Sequence, residues 1–351
     1  MQWILVLPLI LGLMTACGKT SGNDAPENGG GNLEFDGNPK NGELSNGQVR
    51  ICGDINTSEV WTSDFEKYVI TCDSEITAGT LIEVRKGTTI EIYHDVKLIV
   101  KGTLNFESAQ GAERSKVMGG LGYDRAGTLS YQRGNHNISG VIFERMQSAI
   151  ELVVGSINVD NIEVTKADFG FYNYSGSARI RNSHLKGLTY GVYSENPSKV
   201  ENSFFDGELG NSQPFMVGVA GKTHVRGSRF FRNKIAIEST GIVTENTVQR
   251  CLTGVNPMDQ LVLTLNTFRE NSTNIRSTGL KHPFRVKIEK NNFLDPAMKQ
   301  VAFLRTRETL DVRNNYWGTL DLSVMEEDII DKKDNGINGK VLYQPMSPAA
   351  F

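Results

Sequence analysis

From residue 138 onward, the apolar positions of the chain fall into a six-residue phrase that recurs nine times. Position one is Ile138, Val159, Ile180, Val200, Val225, Val243, Leu263, Ile288 and Val312. Position six is Phe143, Val164, Leu185, Phe205, Phe230, Val248, Phe268, Phe293 and Trp317. Successive copies start 21, 21, 20, 25, 18, 20, 25 and 24 residues apart. A recurrence near this length predicts a solenoid, whose units bury their apolar faces only against their neighbours.

Position four drifts along the chain: Val141 and Ile162, then Ser183, Ser203 and Ser228, then Asn246, Asn266, Asn291 and Asn315. If positions one, four and six all point inward, the two-residue alternation of a strand must break once between one and four. A tight turn at positions two and three would break it, and such a turn needs a residue that tolerates positive φ. Position three is Gly140, Asn161, Asn182, Asn202, Gly227 or Asn314 in six copies, the types that enter the left-handed region most easily. Glu245, Leu265 and Lys290 are the exceptions. Stacked coils would set Ser on Ser and Asn on Asn, forming an interior ladder whose polar groups satisfy one another.

A further apolar residue follows position one by twelve residues, usually after a Gly or Ala: Ile150, Phe171, Val192, Ile237, Val255 and, without the small residue, Ile275. Two coils depart from the spacing, with Val219 at nineteen and Phe303 at fifteen. Each coil therefore reads as three short strands with extra residues in its turns. The expected fold is all-β, a right-handed parallel β-helix closed by an amino-terminal cap and a short carboxy-terminal capping helix.

The chain resembles the pectate-lyase-like β-helix superfamily, in particular bacterial surface proteins with generic right-handed β-helix repeats. The phrase carries the resemblance, together with residues 79–92 and 100–106 as opening coils, and 314–318, 330–334 and 339–345 as a closing segment. It covers roughly residues 76–348. The resemblance implies the fold far more than an activity, because this superfamily includes lyases, hydrolases, adhesins and inert scaffolds.

The amino terminus opens with an apolar stretch from Trp3 to Met14, interrupted by Pro8. It is shorter than the ~20 residues that cross a bilayer and reads as a signal peptide over residues 1–16. Met14, Thr15 and Ala16 before Cys17 approach a lipobox, so Cys17 is the expected lipidation site. Met14 in place of the usual Leu, and no Lys or Arg before the apolar run, leave cleavage of an ordinary signal peptide as the alternative. Residues 17–48 are rich in Gly, Asn and Ser and form the expected tether, followed by a cap over 49–75, the β-helix over 76–318 and a closing cap over 319–351. Gly18 after Cys17 favours the outer membrane.

Export also suits the cysteines. A bridge between Cys52 and Cys72 would close a loop of about 20 residues and contribute about 3 kcal/mol in the chain-entropy model; two buried thiols are the alternative. Cys251 reads as a packed thiol. Residues 107–137 show no clear repeat. Near the end, Ser323 and Glu326 stand at capping-box spacing, predicting a helix through Ile330 that lays Met325, Ile329 and Ile330 over the last coil. Asp331 to Gly336 reads as a turn, because it lacks the alternating ligands of a calcium loop.

A net charge of −3 without a basic stripe argues against a nucleic-acid partner. Enzymes of the family resembled work over the strand that carries the small-then-apolar step. Its outward row reads Glu151, Tyr172, Tyr193, Ala220, Glu238, Asn256, Arg276, Leu304. Glu151 and Glu238 stand four coils apart, about 19 Å at ~4.8 Å per coil, too far to act on one glycosidic bond. His94, His136, His184, His224 and His282 lack metal-ligand spacing. Tyr172 and Tyr193 on adjacent coils remain, with the longer 206–214 turn following. Parallel rings about one coil apart in solvent would stack on sugars; tyrosines decorating a pleated face are the alternative.

The expectation is an exported, lipid-anchored monomer at the outer membrane or cell surface, acting as a non-catalytic carbohydrate-binding or structural module. It needs no cofactor or metal. Its partners are the membrane, through the lipid, and a polysaccharide or another surface component. Candidate ligand contacts are Tyr172, Tyr193, Glu151, Glu238 and Arg276. The alternative is a polysaccharide lyase or glycoside hydrolase with a divergent site. Metabolic labelling with a palmitate analogue tests the anchor: the wild type should carry the label and Cys17→Ser should not.

Overall fold

The computed structural model describes residues 39–120, 126–210, 213–214, 216–278, 285–295, 299–304 and 308–351. These wind into a parallel β-solenoid of about 11 turns. The expected signal peptide, Cys17 and the tether as far as residue 38 lie outside the described residues. Three strand ladders run along the repeat region. The first face stacks residues 148–152 on Phe169–Asn173, residues 190–194, residues 217–221 and Ile235–Ser239. The second stacks residues 156–160 on Ser177–Arg181 and its successors. The third stacks Ile142–Glu144, Glu163–Thr165, His184–Lys186, Phe204–Asp206, Arg229–Phe231 and Thr247–Gln249.

The corner between the second and third faces explains the phrase. Position three has positive φ in all nine copies, between 49° at Asn202 and 67° at Gly140. Glu245, Leu265 and Lys290 share this conformation at 59°, 57° and 58°. Position four then points inward, and its backbone N–H reaches the side chain of the next coil. The N–H groups of Ser183 and Ser203 donate to the hydroxyls of Ser203 and Ser228, at 3.2 and 3.1 Å. Those of Asn246, Asn266 and Asn291 donate to the Oδ1 atoms of Asn266, Asn291 and Asn315, at 3.0, 3.0 and 2.9 Å. Each Asn also spends its Nδ2 on carbonyls: Asn266 donates to Val243 O and Thr264 O, both at 2.9 Å. Beside this ladder the position-six rings stack at coil spacing, Phe205 on Phe230 at 4.8 Å, Phe268 on Phe293 at 4.8 Å and Phe293 on Trp317 at 4.3 Å.

A second corner lies five residues on and has no Gly or Asn signature. Arg145, Lys166, Arg232, Arg250 and Glu270 all carry positive φ there. The residue after it is inward as well, giving a second interior stack that includes Asn233, Cys251 and Asn271. Asn271 Oδ1 accepts the Cys251 N–H at 2.9 Å. Burial pushes the Cys251 thiol up to about 12, so it stays protonated.

The ends differ from the sequence reading. Gln48–Ile55 already pairs in parallel with Lys67–Ile76, so residues 49–75 are coil, not a separate cap. They lack the phrase, which hid them. Cys52 and Cys72 sit on these adjacent strands and are joined, with Cα atoms 5.0 Å apart. The free edge is covered instead by Glu43–Ser45, inside the expected tether, which pairs antiparallel with Gln48–Arg50. Within 107–137, Lys116–Gly119 and Thr128–Ser139 also belong to the coils, each pairing in parallel on both sides.

At the far end the helix is Leu322–Asp328, and Asp321 caps it by accepting the Ser323 N–H at 2.9 Å. Ser323 is therefore inside the helix. Met325 and Ile329 are buried, but Ile329–Ile330 is a strand paired in parallel with Val301–Ala302, not a helical turn. The turn after it is closed by carboxylates on backbone N–H groups: Asp331 accepts from Lys333 and Val341, and Asp334 accepts from Asp331.

Asn266→Leu should test the ladder. The change would leave the Asn246 N–H without its acceptor, take one of two donors from Asn291 Oδ1 and crowd a fixed corner. Leaving such groups unpaired should cost about 2 kcal/mol or more, read as a lowered chemical-denaturation midpoint with an unchanged slope.

Candidate functional site

On the first face each coil points two consecutive residues inward, such as Ala149 with Ile150 and Gly170 with Phe171. The first of the pair is small from Ala149 to Gly254, while the buried Asn274 and Gln300 take its place in the next two coils, joined by a hydrogen bond. A Cβ on Gly170 would come within 2.6 Å of Gly191 O, and one on Gly191 within 2.4 Å of Gly218 O. This kink turns two residues outward, one on each side of the inward pair. The face therefore presents two outward rows, and the sequence reading found only the second.

The first row contains Ser148, Phe169, Tyr190, Val217 and Ile235. The second contains Glu151, Tyr172, Tyr193, Ala220 and Glu238. Where the rows run through two adjacent coils, they build one aromatic cluster. Phe169 stacks between Tyr190 (ring centres 5.3 Å apart, 7° between planes) and Tyr172 (5.1 Å, 19°). Tyr172 and Tyr193 are register partners with centres 5.2 Å apart, but their planes meet at 65°. The expected parallel pair is thus corrected: the parallel rings are Tyr190, Phe169 and Tyr172, stacked in a row, with Tyr193 edge-on to them. Tyr174 adds a fifth ring 4.0 Å from Tyr172. Phe169, Tyr172, Tyr190 and Tyr193 are half-buried, and Tyr174 is exposed. An aromatic residue just before the Gly-apolar step was the available signal for Phe169 and Tyr190.

The polar groups around the rings are placed unevenly. The Tyr172 hydroxyl donates to Glu195 Oε1 at 2.8 Å. Desolvation first, and then the Glu195 bond, push that hydroxyl well above its ordinary range. Desolvation also raises Tyr174, with the Glu151 charge next, and Tyr190, with the Glu238 charge next. All three phenols stay neutral donors at physiological pH.

Glu151, expected as an exposed contact, is only 7 % exposed. It is held by Lys97 Nζ at 3.2 Å and by the Ser130 hydroxyl at 3.2 Å, so it supports the surface from beneath. Glu238 accepts from Asn256 Nδ2 at 2.7 Å, two coils beyond Tyr193. Arg276 lies two coils further, exposed, where with Lys234, Ile235, Leu252, Thr253 and Asn256 it lines a depression of about 260 Å³. The five candidates thus split: Tyr172 and Tyr193 meet, Glu151 is buried below, and Glu238 and Arg276 stand apart. Leu304 was assigned to the row in error, because Val301 pairs with Ile275 and the outward residue is Ala302.

The 206–214 turn contains a short antiparallel pair, Leu209–Gly210 with Gln213–Pro214. Residues 211 and 212 of this turn lie outside the described residues. Among the described residues no three His, Cys, Asp or Glu side chains gather as a metal site would require. No protein-family model, curated protein or solved structure matches the chain.

Proposed function

We propose that the protein is an exported, lipid-anchored, right-handed β-helix of the pectate-lyase-like kind, and that its first face binds a glycan without catalysis. The observation that carries this reading is the half-buried cluster of Tyr190, Phe169 and Tyr172 stacked in a row with Tyr193 edge-on, bordered by neutral phenol hydroxyls and the Glu195 carboxylate. Sugar rings offer C–H faces to aromatic planes and hydroxyls to acceptors, and this surface supplies both. A carboxylate borders it at Glu195 while Lys97 is already engaged by Glu151. That balance favours neutral or amino sugars over uronates at the rings themselves. The buried, ion-paired state of Glu151 also weighs against a role as the acid or base of a hydrolase.

The Tyr172→Ala, Tyr193→Ala double variant should weaken binding to its best glycan about tenfold or more, at roughly 0.5–1.5 kcal/mol per ring beyond area burial. Glycan-array screening followed by calorimetry of the full chain reads this directly, and the melting temperature should move little. Wild-type binding should also stay flat from pH 6 to about 9, because the raised phenols remain protonated there. Release of shortened products from a panel of polysaccharides, with or without Ca²⁺, would replace this reading with the enzymatic one.

A further inference from the structure

The outer side of the third face carries a different chemistry. His184 stacks on Phe204 at 4.9 Å, and the next coil sets the Arg229 guanidinium 5.4 Å from the centre of Phe204 and 5.7 Å from that of Phe231. Arg232 and Arg250 also lie against Phe231, at 4.8 and 5.8 Å. Three guanidinium groups therefore surround one phenyl ring.

Two of the three hold a carboxylate. Arg232 Nη2 donates to both oxygens of Asp206 at 2.9 and 2.8 Å, and Arg250 Nε donates to Glu270 at 2.5 Å. Arg229 is exposed and, among the described residues, meets no carboxylate. Resting on ring faces fixes a guanidinium plane and leaves its N–H edge open. That edge matches a carboxylate fork better than any lysine would. Asp206 and Glu270 show, within the same cluster, which group such an arginine takes.

We propose that this face docks a partner protein that presents a Glu or Asp side chain beside an apolar one. Arg229 receives the carboxylate, and Phe204 and Phe231 receive the apolar group. Arg and aromatic residues on a flat, pleated surface are the anchors that dominate protein interfaces. Charge points the same way. Arg229, Arg232, Arg250, Arg269 and Lys186 oppose Asp206, Glu208 and Glu270, five positive against three negative, on a protein whose net charge is −3. An acidic segment is thus drawn to this face and repelled by the remainder. The face is separate from the tyrosine surface, which belongs to the first ladder, so neither reading depends on the other.

The test is fluorescence anisotropy of the full chain with three labelled probes: a random copolymer of Glu and Tyr, poly-Glu, and polygalacturonate. The Glu/Tyr copolymer should bind more tightly than poly-Glu and weaken with added salt. Arg229→Ala should lower that affinity about tenfold or more, Arg229→Lys should recover little of it, and the Tyr172, Tyr193 double variant should leave it unchanged. Circular dichroism melting checks the fold, with Arg229→Gln read in place of Ala if the shorter side chain destabilises the coil. No copolymer binding by the wild type, or binding indifferent to Arg229→Ala and Arg229→Gln, overturns the proposal. Equal and equally Arg229-dependent binding of polygalacturonate also overturns it, by assigning the face to an acidic sugar.

Discussion

Every coil must turn one sharp corner and then satisfy the peptide N–H that follows it, in an interior without water. From Ile162 to Asn291 the N–H at position four finds its acceptor in the next coil, on the side chain at the same position. A buried donor left without one would cost roughly 1–3 kcal/mol, repeated at each turn. This makes adjacent coils interdependent. It also couples positions three and four. Where position three is Asn182, Asn202 or Gly227, the left-handed conformation is easy and a serine suffices at position four. Where it is Glu245, Leu265 or Lys290, the conformation costs of order 1–2 kcal/mol. There position four is always asparagine, whose amide also grips nearby carbonyls: Asn246 donates to Val225 O and Thr244 O. The amide clamps a corner that the residue before it would not choose.

The first face obeys a second constraint, and the candidate site follows from it. Two consecutive inward residues leave little room for the first: at Gly170, Gly191 and Gly218 the next coil's carbonyl lies where a Cβ would go, and only Asn274 and Gln300, hydrogen-bonded to each other, bring a longer side chain. The same kink exposes the residue before the pair as well as the one after. A regular strand would show a single outward row here; this one shows two. The aromatic cluster needs both, because Tyr172 has no parallel ring on its own row and stacks on Phe169 of the other. The core geometry therefore sets the width of the site, while the outward side chains set its chemistry.

Much of this was legible because interior constraints repeat. The period, the position-four ladder and the Gly-apolar step all leave marks in residue type at fixed spacing. The second corner left none, since Arg145, Lys166 and Glu270 are held in the left-handed region by stacking on neighbouring coils and not by their own preference. The first coils lack the phrase, so 49–75 looked like a cap, and the true cover, Glu43–Ser45, is an exposed three-residue strand inside a polar stretch. Asp321 outcompeted Ser323 as the helix cap because Val301 and Ala302 pair with Ile329 and Ile330, which shortens the helix and fixes where it begins and ends. At the site, residue type revealed Tyr172 and Tyr193, but the angle between their rings depends on Phe169 and Tyr190, which only the kink brings forward. Glu151 was misread for a related reason: Lys97 reaches it from two coils earlier, across a segment whose repeat could not be seen.

Outside the core, charge follows the coil spacing without being required by it. Arg179 with Glu201, Arg226 with Glu245, and Arg250 with Glu270 each join residues of adjacent coils on exposed ground. Such pairs contribute about 0–1 kcal/mol each, small beside an interior in which one lost amide is felt. Their stability role is minor, so the outer rows can change without unwinding the helix. This separates the two tasks of the chain. The inner positions fix a spacing near 4.8 Å and a set of directions; the outer positions are free to place rings on one face and guanidinium groups on another. A solenoid built this way can carry two unrelated surfaces on the same coils, because neither has to hold the coils together.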